Sequence, residues 1–365
     1  MNIRRLFCWL IGLLLCLQGL PATAEGMRVY TFPADQPPQE LLAMAFAIPA
    51  EQAEIRLTFA GDCTLGSEPE YRNHAGGFCR TVEREGYAYP FSGLAPLFAA
   101  DDLTLVNLEG VLSRSTAGRA DKQFTFIGDP ACTEILTLGS VECVSLANNH
   151  TLDFGRQGYQ DTCRALEEAR IGYVSGENVL VAEKDGYRIG FTASAFSLSP
   201  EDERRLAARM EALRELGCLA VIHVMHAGVE YAPAHSPQQQ AVAQTAISLG
   251  ADLVVGHHPH VPQDAALIDG VPVIYSLGNC CFGGNLNPTE REGLLLQVRI
   301  TFARGERAGL DWTLHPIRIT GGESGNDYCP QLLQGPEALR VIERITGPES
   351  IRFVPDAAGG YRPAD

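Results

Sequence analysis

Six places in the chain end an apolar run in side chains that can ligate metals or carry protons. They are Asp62; Asn107 and Glu109; Asn149 and His150; His226; His257, His258 and His260; and Ser276 and Asn279. Carboxylates, an amide and imidazoles form a mixed oxygen and nitrogen donor set, which suits manganese, zinc or iron better than magnesium or calcium. Five of the nine histidines fall in these places, whereas a surface or buffering role would scatter them. The expected cofactor is therefore a divalent transition metal, one or two ions. Such a metal generates a water-derived nucleophile and polarises a carbonyl or phosphoryl oxygen. Taken singly, each signal has a plainer reading. Asn and Asp near turns bond their own backbone, and a lone histidine is more often a core or surface residue. His74, His223, His235 and His315 take that plainer reading.

The elements that must position these groups are legible around them. Ser145-Leu146-Ala147 stops abruptly at Asn148-Asn149-His150, with Asp153 three residues further on. This reads as a buried strand delivering polar side chains at its C-terminal end. Ile55–Ala60 alternates and ends in Gly61-Asp62, where a glycine would let the backbone turn sharply. Leu103–Val106 leads to Asn107 and Glu109, Leu219–Met225 to His226, Asp252–Val255 to the histidine cluster, and Val271–Tyr275 to Ser276 and Asn279. Helices are expected over 158–170, over 238–249, and from the cap Ser199-Pro200-Glu201-Asp202 to about Leu216. Strands alternating with helices imply an α/β fold with largely parallel sheets and helices outside. In open sheets of that kind, sites form beyond the carboxyl ends of the strands. A strand pair is expected over 294–302 and 310–319, and a short strand over Lys122–Phe126. Residues 68–89 read as a long loop. Residues 25–52 read as a lead-in with one short helix near Gln39–Phe46, and the tail from Glu323 as irregular with one helix near Pro336–Ile345.

Composition narrows the partners. The 365 residues carry 28 basic and 44 acidic side chains, a formal net charge of −16. Nucleic acid is excluded as an expected partner, because phosphate backbones are held by Lys and Arg. Arg4 and Arg5 precede an apolar run from Leu6 to Leu20 and then Ala22-Thr23-Ala24, the pattern of an export signal cleaved after Ala24. An uncleaved membrane anchor is the alternative, although the run is short against the roughly 20 residues a spanning helix needs. Cleavage would change the charge from −16 to −18, since the segment holds two arginines and no acid. The expected location is the cell envelope, periplasmic or extracellular. Nine cysteines lie outside that segment, and an exported chain of this kind is expected to form some disulfides, with Cys63–Cys79 and Cys132–Cys143 suggested by proximity. The expected organisation is a signal over 1–24, a lead-in over 25–52, one large domain over 53–322 and a C-terminal extension over 323–365.

Gly61-Asp62, Asn107-Leu108-Glu109-Gly110, Ser145–Asp153, His226-x-Gly228-x-Glu230-Tyr231, the run from Gly250 to Val261, and Tyr275-Ser276-Leu277-Gly278-Asn279 occur in order between about Arg56 and Phe282. In these motifs the chain closely resembles the CapA-type poly-γ-glutamate capsule synthesis proteins. That family looks like a branch of the calcineurin-like metallophosphoesterase fold. The resemblance implies a two-sheet βαβ sandwich with flanking helices in one large domain and a dinuclear site at one edge. By motif, it implies Asp62, Glu109, Asn149, His226, His258 and His260 as metal ligands. It implies His150 as the acid that protonates a leaving group; Asp153 or a backbone carbonyl would hold it, although Asp153 could equally be a helix cap. Asn107, Glu230, His257, Ser276 and Asn279 are candidate substrate contacts, although His257 could equally ligate the metal or support a ligand from behind. Lys122 joins them as a cation for a carboxylate or phosphate, and Arg72 and Arg80 are further candidates for that role.

The chain departs from the family patterns in four places. The phosphoesterase pattern has Asp-x-His at the first motif, but Asp62 is followed by Cys63 and Thr64, so one metal loses a ligand. Glu109 is longer than the Asp expected there. Ala227 stands where a Trp is usual, and Cys280-Cys281 replaces a Phe-Val type pair. Three functions follow as expectations. The first is an exported metal-dependent hydrolase or transferase acting on a γ-glutamyl or phosphoryl substrate in an envelope polymer. The second is a non-catalytic subunit that binds the anionic polymer or a membrane-bound synthase. The third is a phosphoesterase acting on small phosphate esters.

Overall fold

A computed structural model describes residues 26–43, 49–322, 325–347 and 350–364. The segment expected to be an export signal, including Cys8, Cys16 and Ala24, lies outside the described residues. Along Gln52–Thr64, Ile55, Leu57 and Phe59 turn to one face of the strand, where they join Leu103 and Leu105 of the neighbouring Leu103–Leu108 strand. Ala60, Val106 and Leu108 turn to the other face. A strand with two buried faces must be covered twice, and this one is.

The larger sheet has ten strands. Gln52–Thr64, Leu103–Leu108, Cys143–Ser145 and Gly172–Val174 run parallel through it. The long antiparallel pair Glu292–Ala303 and Glu306–Arg318 extends it on the far side of Gln52–Thr64. The second sheet has seven strands, with Tyr187–Ala195, Cys218–His226, Leu253–His257 and Val271–Ile274 parallel at its centre. Ile189, Phe191, Ile222, Val224 and Val255 of this sheet face Leu57, Phe59, Leu103 and Leu296 of the other across one apolar core. Helices Phe78–Glu85, Thr133–Leu138 and Gly155–Ala169 cover the outer face of the larger sheet. Helices Pro200–Glu215 and Pro237–Ser248 cover the smaller one, each started by a serine capping box at Ser199 or Ser236. The two-sheet α/β sandwich with flanking helices is the fold expected from the sequence.

Several local expectations are corrected. The lead-in contains the strand Arg28–Phe32, which pairs antiparallel with Val179–Lys184 at the edge of the smaller sheet. Five residues flanked by Pro-rich sequence were too few to show a period. The short helix is Gln39–Ala43, and residues 44–48 lie outside the described residues. The 68–89 segment holds the helix Phe78–Glu85, while Lys122–Phe126 forms no strand and approaches the site as a loop. The tail holds the helix Gly335–Ile345, close to expectation. Its strands Gln331–Leu332, Phe353–Pro355 and Tyr361–Pro363 extend the larger sheet. The nine cysteines among the described residues are free thiols, so the expected disulfides are not formed. Cys63 and Cys132 pack into the apolar cluster beneath the helices together with Cys280 and Cys281, the Cys63 thiol in contact with Cys280, and each behaves as a small hydrophobe.

Candidate metal centre

Parallel strands place their C-terminal ends along one edge, and strand register decides which side chains meet there. Asp62 pairs in register with Asn107 on one side and with Asn279 on the other. In the second sheet His226 is paired with His257. The two sheets therefore bring one carboxylate-rich edge against one imidazole-rich edge. Gly61 permits this by close approach and not by a turn. A Cβ there would stand 2.0 Å from the Gly278 carbonyl oxygen, which accepts the Asp62 N–H at 2.9 Å.

Asp62 and Glu109 are fully buried. The Asn107 amide donates to Asp62 Oδ1 at 2.8 Å and lies 3.3 Å from His226 Nδ1. Asp62, Glu109 and His226 each present a donor atom, all within 4.8 Å of one another. Asn149 Oδ1 stands 2.8 Å from His226 Nε2. His260 Nδ1 lies 2.9 Å from Asn279 Oδ1 and 3.3 Å from Asp62 Oδ2, and its Nε2 lies 3.9 Å from Glu109 Oε1. The backbone at His258 and His260 has positive φ, 100° and 60°. Non-glycine residues rarely hold such angles, and they concentrate at functional sites. The His258 N–H donates to Asp62 Oδ2 at 3.3 Å, which ties that strained loop to the first carboxylate.

Beside the ligand cluster stands a second unit. His150 Nδ1 is 2.7 Å from Asp153 Oδ2, and its Nε2 is 3.6 Å from Glu109 Oε1. The Phe126 N–H donates to the same Asp153 oxygen at 2.6 Å. The Phe126 ring packs against the imidazole with centroids 4.4 Å apart. Lys122 Nζ lies 2.5 Å from Asp153 Oδ1 and donates to the Asn149 carbonyl oxygen at 2.8 Å. Asp153 is thus the anchor of His150 and of the 120–126 loop, and not a helix cap.

The charges are mutually dependent. Burial alone would raise the Asp62 pKa, but the hydrogen bond and charge of His260, with His257 and His226, hold it below the usual carboxylate range. Burial, then the Asp62 charge, push Glu109 well above its ordinary value. His260 is lifted to about 10: burial opposes its charge, but Glu109 and Asp62 outweigh that. Burial pushes His226 well below its ordinary value and lowers His258 too. Burial also lowers His150, with Asp153 opposing it. Neutral His226 and His258 are in the state that metal ligation requires, whereas His260 and Glu109 hold protons that a bound metal would release. Glu109 Oε1 and His258 Nδ1 are buried without a hydrogen-bond partner among the described residues. Vacant lone pairs in an enclosed mixed donor set fit a divalent transition metal.

The ligand candidates Asp62, Glu109, Asn149, His226, His258 and His260 therefore stand at one edge together with His150 and Asp153. The candidate substrate contacts divide differently. Asn107, His257 and Ser276 are fully buried. Asn107 holds Asp62, His257 Nε2 lies 3.1 Å from the Ala60 carbonyl oxygen, and the Ser276 hydroxyl donates to the Val261 carbonyl oxygen. All three support the centre from behind, and none is exposed to solvent in this structure. Asn279 orients His260, and Lys122 is engaged with Asp153. Glu230 is exposed at the mouth beside His258 and His260. Arg72 and Arg80 pair with acids of the surface, Asp129 and Glu83. Sequence reading missed Asn148, whose amide donates to Asn107 Oδ1 at 3.1 Å and whose oxygen accepts the His150 N–H. It also missed Phe126, which no polar pattern marks.

The bacterial capsule synthesis protein family PGA_cap matches residues 56–284, a stretch that contains every residue of the centre. The capsule biosynthesis protein CapA of Bacillus anthracis is 26% identical over 271 residues, 67% of this chain and 64% of that protein. The match thus spans a little under two thirds of that relative. The PGA biosynthesis protein CapA of Bacillus subtilis is 26% identical over 67% of this chain and 68% of its own length. A probable polyglutamine synthesis accessory protein of Mycobacterium tuberculosis is 29% identical over 57% of this chain and 66% of its own length. With the family matched across most of the sandwich, the chain belongs to the bacterial capsule synthesis protein family PGA_cap.

Proposed function

We propose that the chain takes part in the biosynthesis or processing of poly-γ-glutamate or a related envelope polymer, as a metal-dependent hydrolase or transferase acting on a γ-glutamyl or phosphoryl substrate. The names of its relatives support the polymer. The chemistry is supported above all by Glu109 Oε1, a buried and unpartnered carboxylate oxygen facing His150 and His260.

Asp62, Glu109, Asn149, His226, His258 and His260 would hold the metal, which when bound supplies an activated water and a Lewis acid for the scissile group. The protein's own part is positioning and proton transfer. His150 keeps one nitrogen on Asp153 and turns the other toward Glu109, where it can hold a proton for a leaving nitrogen or oxygen. Lys122 balances the buried Asp153 carboxylate, which would otherwise be costly to hold. Phe126 packs on the His150 ring and Phe282 on the His260 ring with centroids 5.1 Å apart, and the two phenyl rings stand 5.6 Å from each other. Export to the envelope rests on the Arg4–Ala24 pattern and on the capsule names of the relatives. No helix among the described residues is long and apolar enough to cross a membrane.

A second reading, an accessory subunit of a membrane-bound synthase without turnover of its own, is favoured by Thr64 standing where the phosphoesterase pattern has a histidine. One experiment separates the two. The purified protein, with manganese or zinc, is incubated with poly-γ-glutamate, γ-glutamyl dipeptides, phosphomonoesters and phosphodiesters, in parallel with His150→Gln. Polymer shortening that falls by about a hundredfold or more in the variant supports the enzyme, in line with the usual worth of a general acid. Metal-loaded protein inert toward all four classes makes it the accessory subunit.

A further inference from the structure

Position 64 carries a threonine where the phosphoesterase resemblance leads one to expect a histidine ligand. Thr64 is 1% exposed, and its hydroxyl donates to the Glu109 carbonyl oxygen at 2.8 Å. Cys63 packs into the apolar cluster on the other face. Neither side chain offers a ligand atom to the centre, so one metal position is short of a donor on that side.

A donor outside the expected ligand set stands beside the two histidines of the 258–260 loop. Glu230, His258 and His260 each present a ligand atom, all within 4.8 Å of one another. Exposed acids often stand near histidines by chance, but three further observations set this one apart. His258 is only 7% exposed and its Nδ1 has no hydrogen-bond partner among the described residues. His260 has Nδ1 committed to Asn279 Oδ1 at 2.9 Å, the kind of outer contact that fixes a ligating imidazole and leaves its Nε2 available. The loop that carries Glu230 is tied to the histidine loop, because the Tyr231 N–H donates to the Pro259 carbonyl oxygen at 2.7 Å. Tyr231 itself sits at φ 61°, a conformation costly for a bulky residue unless its surroundings hold it there.

We propose that Glu230 is a metal ligand and that Glu230, His258 and His260 form the second metal position of the centre, replacing the ligand that position 64 does not supply. The inference rests on the metal-centre reading above. One carboxylate and two imidazoles suit zinc, manganese or iron. The carboxylate approaches from solvent while both histidines are buried, so this position would be the more open and exchangeable of the two. Glu230, taken from sequence as a substrate contact, becomes part of the cofactor site.

Metal-stripped parent protein and Glu230→Gln are titrated calorimetrically with manganese and with zinc, and their metal content is measured by elemental analysis. Circular dichroism of both stripped forms checks folding, which an exposed substitution should leave intact. The expected result is two equivalents in the parent. Glu230→Gln should retain one, with the second weakened about tenfold or more, at least the loss that disturbing an outer contact causes. Two equivalents with parental affinity in Glu230→Gln would overturn the role of Glu230 and leave the metal centre standing. A single equivalent in both proteins would overturn it as well. No metal in the parent would overturn the centre itself.

Discussion

Asp153 Oδ2 lies 2.7 Å from His150 Nδ1, with both side chains buried and the second Asp153 oxygen on Lys122. The imidazole is thereby fixed in tautomer and direction. Asp153→Asn keeps the shape but presents an amide where an acceptor is needed. Turnover should fall by about tenfold to a hundredfold with little change in KM, a smaller loss than in His150→Gln, since a general acid contributes about a hundredfold to ten-thousandfold. Steady-state kinetics on the active substrate class checks this. A variant changed only in KM would place Asp153 in substrate binding instead.

Glu109 is where metal and stability meet. Its buried oxygen, without a hydrogen bond among the described residues, would be a cost in the metal-free protein and a ligand in the loaded one. Chelation should lower Tm, and a metal supplied at about a hundred times its Kd should add about 2.7 kcal/mol. Metal-free Glu109→Gln should be at least as stable as the metal-free parent, and added manganese or zinc should no longer raise its Tm. Differential scanning calorimetry with and without chelator measures both. An undiminished metal-induced rise in the variant would remove Glu109 from the ligand set.

Gly61 and Gly176 form a matched pair. A Cβ on Gly61 would stand 2.0 Å from the Gly278 carbonyl oxygen, while one on Gly176 meets nothing within 4 Å. Gly61→Ala should therefore cost about 1–3 kcal/mol or more, as overpacking does. Because the strand bearing Asp62 must shift away from Asn279, it should also lose metal. Gly176→Ala should leave both Tm and metal content unchanged. Thermal melts and elemental analysis of the two variants check the contrast.

Asp101 and His223, both buried and remote from the centre, give opposite pH signatures. Burial pushes Asp101 up to about 7, and Glu142, which shares Thr104 with it, also to about 7. Burial pushes His223, between the Thr192 and Ser194 hydroxyls, down to about 3. A raised acid binds its proton more tightly when folded. Its stabilisation is full below its unfolded pKa of about 4 and lost as pH rises through about 7. A lowered histidine is the reverse: its stabilisation is full above about 6.5 and lost as pH falls toward about 3. The Tm of Asp101→Asn, taken relative to the parent, should rise from about pH 5 to about pH 8, and that of His223→Gln should rise in the other direction. Parallel curves for parent and either variant would refute the corresponding assignment.

The strand ends that carry Asp62, Glu109, Asn149, His226, His258 and His260 were legible because each motif is local. A parallel strand must end in a turn, and a run of apolar residues that stops at Asn-Asn-His or Gly-His-His-Pro-His announces what it delivers. The α/β class was legible for the same reason, since strands and helices alternate with strong periods, while the two-sheet sandwich was implied by the family resemblance. Weak or short segments were not: Arg28–Phe32 becomes a strand only because Val179–Lys184 offers it an edge.

The sequence by itself determined which residue types reach the carboxyl edge and that they suit a transition metal. Only the tertiary structure decided how those residues share the work. Asn107, His257 and Ser276 have the same polar character as Glu230, yet packing turns the first three inward, onto Asp62, the Ala60 carbonyl and the Val261 carbonyl, and leaves Glu230 at the mouth. Lys122 looked like a cation awaiting an anion and is held by Asp153. The cysteines looked like disulfides and are free, mostly buried thiols. The physical reason is common to all of them. Side-chain chemistry is a property of one residue, but burial and partner choice depend on how two distant sheets meet, and no single segment of the chain encodes that contact.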